Sequence, residues 1–203
     1  MNAMLGVAGL RAVLSLWASN ETNDDEDFWQ RTLASHAFVL SQVFAYPIVI
    51  IEEKAYVGGK RLDNRHGGVA DFLGAVSSTG GLLIIEIKTP GCPLLASEYR
   101  QDVFPPSDDL SGAVAQVLKY QESLSTELAS LAAGSPIPVL TVQPRCMVLM
   151  GHAARELTTD AKRRSFERFR ERLSGVTVIT FDELFGRVAQ TESLLTGFPD
   201  GVV

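Results

Sequence analysis

The sequence predicts an α/β fold in which one sheet carries helices on both faces. Three observations lead there. Apolar runs of strand length at 47–56, 69–76 and 82–88 follow one another with turn formers between them. Segments of helical periodicity flank this group on both sides. From residue 107 onward, helical and strand-like segments alternate. At 203 residues, with 46% hydrophobic and 21% charged residues, the chain suits one domain with a substantial core, and global disorder is excluded.

The N-terminal stretch places Leu10, Val13, Leu14 and Trp17 on one face of a short amphipathic helix. A secretory leader fits it poorly, because no basic segment precedes the apolar run and Arg11 interrupts it. Residues 1–20 therefore read as a helix appended to a domain spanning 21–203. The acidic run Glu21 to Asp27 favours a helix N-terminus. Phe28, Leu33, Ala37, Leu40, Val43 and Phe44 then space as one long helix ending before Pro47. Glu26 and Gln30, four apart, share a face of it. Glu26 is either a partner of the helix dipole or a supporting group of a site.

A strand runs from Pro47 to about Tyr56, and Gly58-Gly59-Lys60-Arg61 turns into a basic, polar loop through Arg65-His66-Gly67-Gly68. His66 is a loop histidine or, from its place just ahead of the next strand, a phosphate contact. Val69–Val76 and Leu82–Lys88 then read as a hairpin joined by Ser77-Ser78-Thr79-Gly80-Gly81. Asp71, Glu86 and Lys88 interrupt these apolar runs. If the turn centres between Ser78 and Thr79, Asp71 falls directly across from Glu86, and strand alternation puts Lys88 on the same face. Directly opposed residues have Cβ atoms about 4.5–5.5 Å apart, where like charges repel. A solvated Glu-x-Lys pair on an open face is the ordinary explanation. A divalent cation between the two carboxylates, with Lys88 beside it, explains the facing Asp71 as well.

Beyond Lys88, about twenty residues lack periodicity, a length that is uncommon in compact domains. This loop leaves directly from Lys88 and should border the site. Tyr99 and Arg100 within it either contact a polymer substrate or anchor the loop. Ser107-Asp108-Asp109-Leu110-Ser111 starts a helix to about Leu131, with Ala113, Val114, Val117, Leu118, Leu124, Leu128 and Leu131 as its buried stripe. Gln116 and Tyr120 share one face beside that stripe. Gly134-Ser135-Pro136 ends it. A strand at 145–151 follows, then a basic helix capped by Thr158-Thr159-Asp160 with Phe166, Phe169 and Leu173 inward. A strand at 176–181 and a last helix opening at Asp182 complete the chain. Lys162, Arg163, Arg164, Arg168, Arg170 and Arg172 form either a solvated helix face or a phosphate-facing patch.

A net charge of −6 argues against a generally sticky nucleic-acid binder while leaving a local basic patch open. No stretch approaches a membrane span. Cys92 and Cys146 lack metal-ligand spacing, which suits free thiols in a reducing, cytoplasmic setting.

The order helix, three strands carrying Asp71 and then Glu86-Ile87-Lys88, helix, strand resembles the core of the PD-(D/E)xK nuclease superfamily. Gln116-Val117-Leu118-Lys119-Tyr120 resembles the Gln-x-x-x-Tyr helix motif of its RecB-like branch. The closer resemblance is to the Shedu nuclease family of antiphage defence. It is carried by Glu26-Asp27-Phe28-Trp29-Gln30, Val69 to Leu73, Glu86 to Pro90, Leu94-Leu95, Leu110 to Tyr120, Phe166-Glu167-Arg168-Phe169 and Val178 to Leu184. Shedu proteins often carry a sizeable extra N-terminal region, whereas here only a short helix precedes the core.

The resemblance implies a three-layer, restriction-endonuclease-like sandwich around a central mixed sheet, with core order α-β-β-β-α-β and a further α-β-α. It implies a metal-dependent DNA endonuclease using Mg²⁺, with Mn²⁺ as a substitute. Asp71, Glu86 and the backbone carbonyl of Ile87 would hold the metal. Lys88 would orient or deprotonate the attacking water, or stabilise charge on the phosphorane. Gln116 would position water or phosphate, with Tyr120 and Glu26 in support. His66, Tyr99, Arg100 and Lys119 are the candidates for nucleic-acid contact. Homo-oligomerisation, and a regulatory domain outside this chain, are further implications. The alternatives are a silent nucleic-acid-binding or assembly module on a nuclease fold, and an RNA nuclease.

Overall fold

The apolar runs on either side of Ser78 form the hairpin around which the other elements pack. In the computed structural model, the described residues are 2–44, 48–57, 68–131 and 143–197. The elements run α1 (Asn2–Asn20), α2 (Glu26–Ser35), α3 (Phe38–Ser41), β1 (Ile48–Tyr56), β2 (Val69–Val76), β3 (Leu82–Ile87), α4 (Asp108–Leu131), β4 (Arg145–Leu149), α5 (Ala153–Glu156), α6 (Asp160–Arg170), β5 (Val176–Ile179) and α7 (Phe181–Thr196). The sheet order is β1-β2-β3-β4-β5. The first three strands pair antiparallel and the last three parallel, so the sheet is mixed.

Side-chain alternation in β3 divides the core in two. Leu82 and Ile84 join Cys146, Val148, Val117 of α4 and Phe166 of α6 on one face. Leu83, Ile85 and Ile87 join Val13 of α1, Trp29 of α2 and Phe185 of α7 on the other. With both faces covered, β3 is buried along its whole length, which accounts for its near-continuous apolar run. The result is the three-layer sandwich with a central mixed sheet. Among the described residues, no helix is long and apolar enough to cross a membrane.

The hairpin register is the one that a turn centred between Ser78 and Thr79 requires, with Phe72 opposite Ile85 and Ala75 opposite Leu82. Gly80 takes φ +66° in the turn, a conformation that favours glycine.

Several elements depart from the sequence reading. The single helix expected from Phe28 to Phe44 is broken at His36, whose φ of −129° and ψ of 45° leave the helical region. A straight helix would carry Val39 about 240° round from Leu33. The break lets Val39, Leu40 and Leu33 enter the same core. Leu118 is 40% exposed, and the buried stripe of α4 passes instead through Gln121, whose amide donates to Pro144 O at 2.5 Å. β4 stops at Leu149, ahead of Gly151 at φ +70°. β5 stops at Ile179, and Phe181 begins α7, because the Thr180 N–H donates to Glu183 Oε2 at 3.0 Å and closes the helix start.

The long segment after Lys88 is held in place rather than loose. Glu156 accepts the N–H groups of Leu94 and Leu95, both at 2.7 Å, and Phe104 N–H donates to Ser165 Oγ at 3.3 Å. Pro47, the loop containing Arg65 and His66, and the Gly134-Ser135-Pro136 stop lie outside the described residues.

Candidate active site

An aromatic cluster positions the first wall of the site. Trp17 of α1 stacks on Phe185 at 4.7 Å between ring centroids, and Trp29 of α2 meets Phe181 edge-on at 4.9 Å. Trp29 also donates its indole N–H to Asn23 O at 2.8 Å. Asp25 caps α2 by accepting the Phe28 N–H at 3.1 Å. The neighbouring Asp24 accepts from Thr89 Oγ1 at 3.4 Å. The approach is close, since a Cβ on Gly91 would fall 1.9 Å from Asp24 Oδ1 and displace that carboxylate. The first turn of α2 is thus clasped to the chain leaving Lys88, with Trp29 turned into the core and Glu26 and Gln30 turned toward the strand ends.

At those ends the charged residues converge. The hairpin register, carried one pair beyond Phe72 and Ile85, sets Asp71 opposite Glu86. Asp71 Oδ2 accepts the Ile87 backbone N–H at 2.8 Å, so its carboxylate takes the place of a ladder bond. Lys88 Nζ donates to Glu86 Oε1 at 2.8 Å and lies 3.5 Å from Glu26 Oε2. Glu86 is only 3% exposed, and its Oε2 is buried with no hydrogen-bond partner among the described residues. Lys88 N–H pairs with Leu149 O on β4, so by strand alternation the N–H and C=O of Ile87 both point toward β2 and Asp71.

Burial, and then the facing Asp71 carboxylate, push Glu86 up from 4.5 to about 7, against the hydrogen bond and charge of Lys88. Burial likewise raises Asp71, opposed chiefly by the Ile87 N–H. Burial alone would lower Lys88. The hydrogen bond to Glu86, with the charges of Glu86, Glu26 and Asp71, outweighs it and raises Lys88 instead. Lys88 is therefore an ammonium in this arrangement.

The donor set fits a hard divalent cation. Among the described residues, no three His, Cys, Asp or Glu side chains form a ready-made metal cage. Two carboxylates and a backbone carbonyl leave room for water, which suits Mg²⁺. The unpartnered, buried Glu86 Oε2 is the atom such a cation would satisfy.

Of the predicted residues, Glu26, Asp71, Glu86, Ile87 and Lys88 come together. Gln116 Nε2 donates to Tyr120 Oη at 2.8 Å, and the Tyr120 ring closes over Gly68, where a Cβ would lie 2.8 Å from it. Among the described hydrogen bonds, none links Gln116 to Asp71, Glu86 or Lys88. Lys119 is exposed and pairs with Glu122 at 3.4 Å. Tyr99 is 71% exposed beneath the Arg100 guanidinium, at the tip of a hairpin-like arm whose base is tied to α5 and α6. His66 falls outside the described residues. In the basic helix, Arg163 pairs with Asp160 at 2.7 Å, while Arg170 pairs with Glu167 at 2.6 Å and Glu183 at 2.8 Å.

Two residues at the site had no assigned role in the sequence. Gln30 Nε2 donates to Asp71 Oδ1 at 2.6 Å and to Glu26 Oε1 at 3.2 Å. Lys54 Nζ donates to Gln30 Oε1 and lies 3.9 Å from Asp71 Oδ1. The four-residue spacing of Glu26 and Gln30 was the available signal for the first. Nothing in the local sequence marks Lys54.

The family described as "Shedu protein SduA, C-terminal" matches residues 23–185, a span that takes in every residue of this cluster. The chain is 43% identical over 204 residues to the Shedu protein SduA of Bacillus cereus (strain B4264), covering 97% of this chain and 53% of that protein. It thus spans about half the length of the curated relative it matches.

Proposed function

The chain belongs to the Shedu family, and from that premise and the geometry at Asp71, Glu86 and Lys88 we propose that it is a metal-dependent DNA endonuclease of the PD-(D/E)xK type acting in antiphage defence. The observation that carries the reading is Glu86, a buried carboxylate with one unpartnered oxygen, facing Asp71 and bonded to Lys88. A binding module has no use for two opposed, buried carboxylates whose burial raises both pKa values.

Asp71, Glu86 and the Ile87 carbonyl would hold Mg²⁺, with Mn²⁺ as substitute. Bound there, the cation supplies a water of lowered pKa and polarises a phosphoryl oxygen. The chain's own residues do the rest. Lys88, kept as an ammonium by Glu86 and Glu26, donates to the attacking water or to a phosphate oxygen as negative charge builds on it. Glu26 holds Lys88 from the α2 side. Gln116, hydrogen-bonded to Tyr120, offers its amide to a phosphate entering from the α4 face. Homo-oligomerisation, a cytoplasmic setting and control by the part of the relative that this chain does not span complete the proposal.

The test is incubation with supercoiled plasmid, linear DNA and RNA in Mg²⁺, Mn²⁺ or EDTA. DNA cleavage that needs the metal is expected. Lys88→Ala should abolish it while leaving a folded protein, because Glu86 can take up a proton when its ammonium partner is removed, and one that still binds metal, because Asp71, Glu86 and the Ile87 carbonyl all remain. Unchanged nicking by Lys88→Ala would sink the assignment. Cleavage of RNA alone would move the substrate class. Binding without cleavage under every condition would make the chain a binding module.

A further inference from the structure

The pairing of β1 with β2 changes register at a single bulge. Ile50 lies opposite Gly74, but Glu52 lies opposite Leu73, so Ile51 is an extra residue in β1. Had the first register continued, Glu53 would oppose Asp71. With the bulge, Lys54 stands there, between the pairs Glu53–Phe72 and Ala55–Ala70. One inserted residue thus exchanges a carboxylate for an ammonium beside Asp71. The exchange is made at the cost of strain, since Lys54 takes φ +51°, a left-handed conformation that costs a non-glycine residue about 1–2 kcal/mol.

Lys54 meets Gln30, which is 7% exposed. The amide orientation of Gln30 is dictated by its neighbours. An ammonium can only donate and ionised carboxylates can only accept, so Oε1 must face Lys54 and Nε2 must face Asp71 and Glu26. The side chain is a strut between the two carboxylates, keyed by the lysine. Asp71 Oδ1 is held by this strut and Oδ2 by the Ile87 N–H, so both ends of the carboxylate are pinned. A recess of about 210 Å³ lined by Asp27, Gln30, Arg31, Glu53, Lys54 and Asp71 opens on this side.

We propose that Gln30 and Lys54 are positioning residues: the β1 bulge delivers Lys54 to fix the amide of Gln30, which holds Asp71 in the orientation needed to take a divalent cation. The consequence for cleavage rests on the nuclease reading above, whereas the strut itself does not. Partners one step removed from a metal's ligands typically contribute 10–100-fold to metal affinity or activity.

Three readouts test it on the full chain. Calorimetric titration with Mn²⁺ alone should show Gln30→Leu and Lys54→Met binding about 10-fold or more weaker than the unsubstituted protein, with Lys54→Arg within about threefold, provided melting curves show each variant folded. Plasmid cleavage should lose kcat in the first two variants with KM for DNA changed less than about twofold. Nuclear magnetic resonance should show a slowly exchanging Gln30 side-chain amide whose protection falls in Lys54→Met, a readout that needs neither metal nor substrate. Folded Gln30→Leu and Lys54→Met that bind Mn²⁺ within about twofold of the unsubstituted protein overturn the proposal. So does a Lys54→Met effect confined to KM, which would make Lys54 a substrate contact. If the unsubstituted protein neither binds Mn²⁺ nor cleaves, the nuclease reading fails. The strut then stands or falls on Gln30 protection, and a freely exchanging amide refutes it.

Discussion

Glu86→Gln separates what the site needs from what the fold prefers. The substitution keeps the shape of the side chain and its acceptor toward Lys88, and removes a charge that is 3% exposed. The second oxygen becomes an N–H₂ group, which can donate toward Asp71. The folded protein holds Glu86 at about 7, while the unfolded chain has it near 4.5. Between these values the folded state binds more protons than the unfolded state. Stability from this group is therefore full below about 4.5 and is lost as pH rises through about 7. At about 1.4 kcal/mol per pH unit, the whole span is worth roughly 3 kcal/mol. A neutral glutamine avoids that loss. At pH 8 in EDTA, Glu86→Gln should be more stable by about 1–3 kcal/mol, and a chain of this size gains about 2–4 °C in Tm per kcal/mol. At pH 4.5 the difference should vanish. Adding Mg²⁺ at pH 8 should raise the Tm of the unsubstituted protein and leave the variant unmoved, because only a ligand of the native state stabilises it. Thermal melts at two pH values, with and without the cation, decide the matter. A variant less stable than its parent at pH 8, or a gap independent of pH, refutes the reasoning that burial and the facing Asp71 raise Glu86.

The same shift sets the pH dependence of metal binding. Below about 7 a cation must displace the Glu86 proton, so Mn²⁺ affinity should rise about tenfold per pH unit up to that point and flatten above it; a flat profile from pH 5.5 to 8.5 contradicts this. Trp29→Ala removes a fully buried ring that seats α2, and should cost about 3–5 kcal/mol, a Tm drop on the order of 10 °C, together with weaker metal binding. A drop under about 2 °C would show that α2 is held by other contacts. Gly151→Ala puts a Cβ at φ +70°, 2.5 Å from Leu94 Cδ2 and 3.0 Å from Cys92 O. Chemical denaturation should show a loss of about 1–3 kcal/mol, and a neutral result would mean that the turn after β4 relaxes freely.

The hairpin and the placement of its charged residues were legible in the sequence because their determinants are local. A turn-forming pentapeptide sets the register, and register with the alternation of side chains along a strand places Asp71 against Glu86 with Lys88 on the same face. The three layers follow from the apolar run of β3, which is too continuous for a strand with one face in water. The break at His36 was not legible, because local spacing favours one helix and only the shared core of Leu33, Val39 and Leu40 favours two. Tyr99 and Arg100 left the chain close to Lys88 in sequence, but hydrogen bonds to Glu156 and Ser165 tie their arm to α5 and α6. Lys54 depends on the extra residue at Ile51, and a bulge arises from how two strands fit together rather than from either strand's own pattern. Sequence by itself determined which carboxylates and which lysine make the centre, since alternation is a property of one strand. Tertiary structure decided what holds Asp71 in place, since a strut from α2 and a cation from β1 meet only after three separate elements have packed.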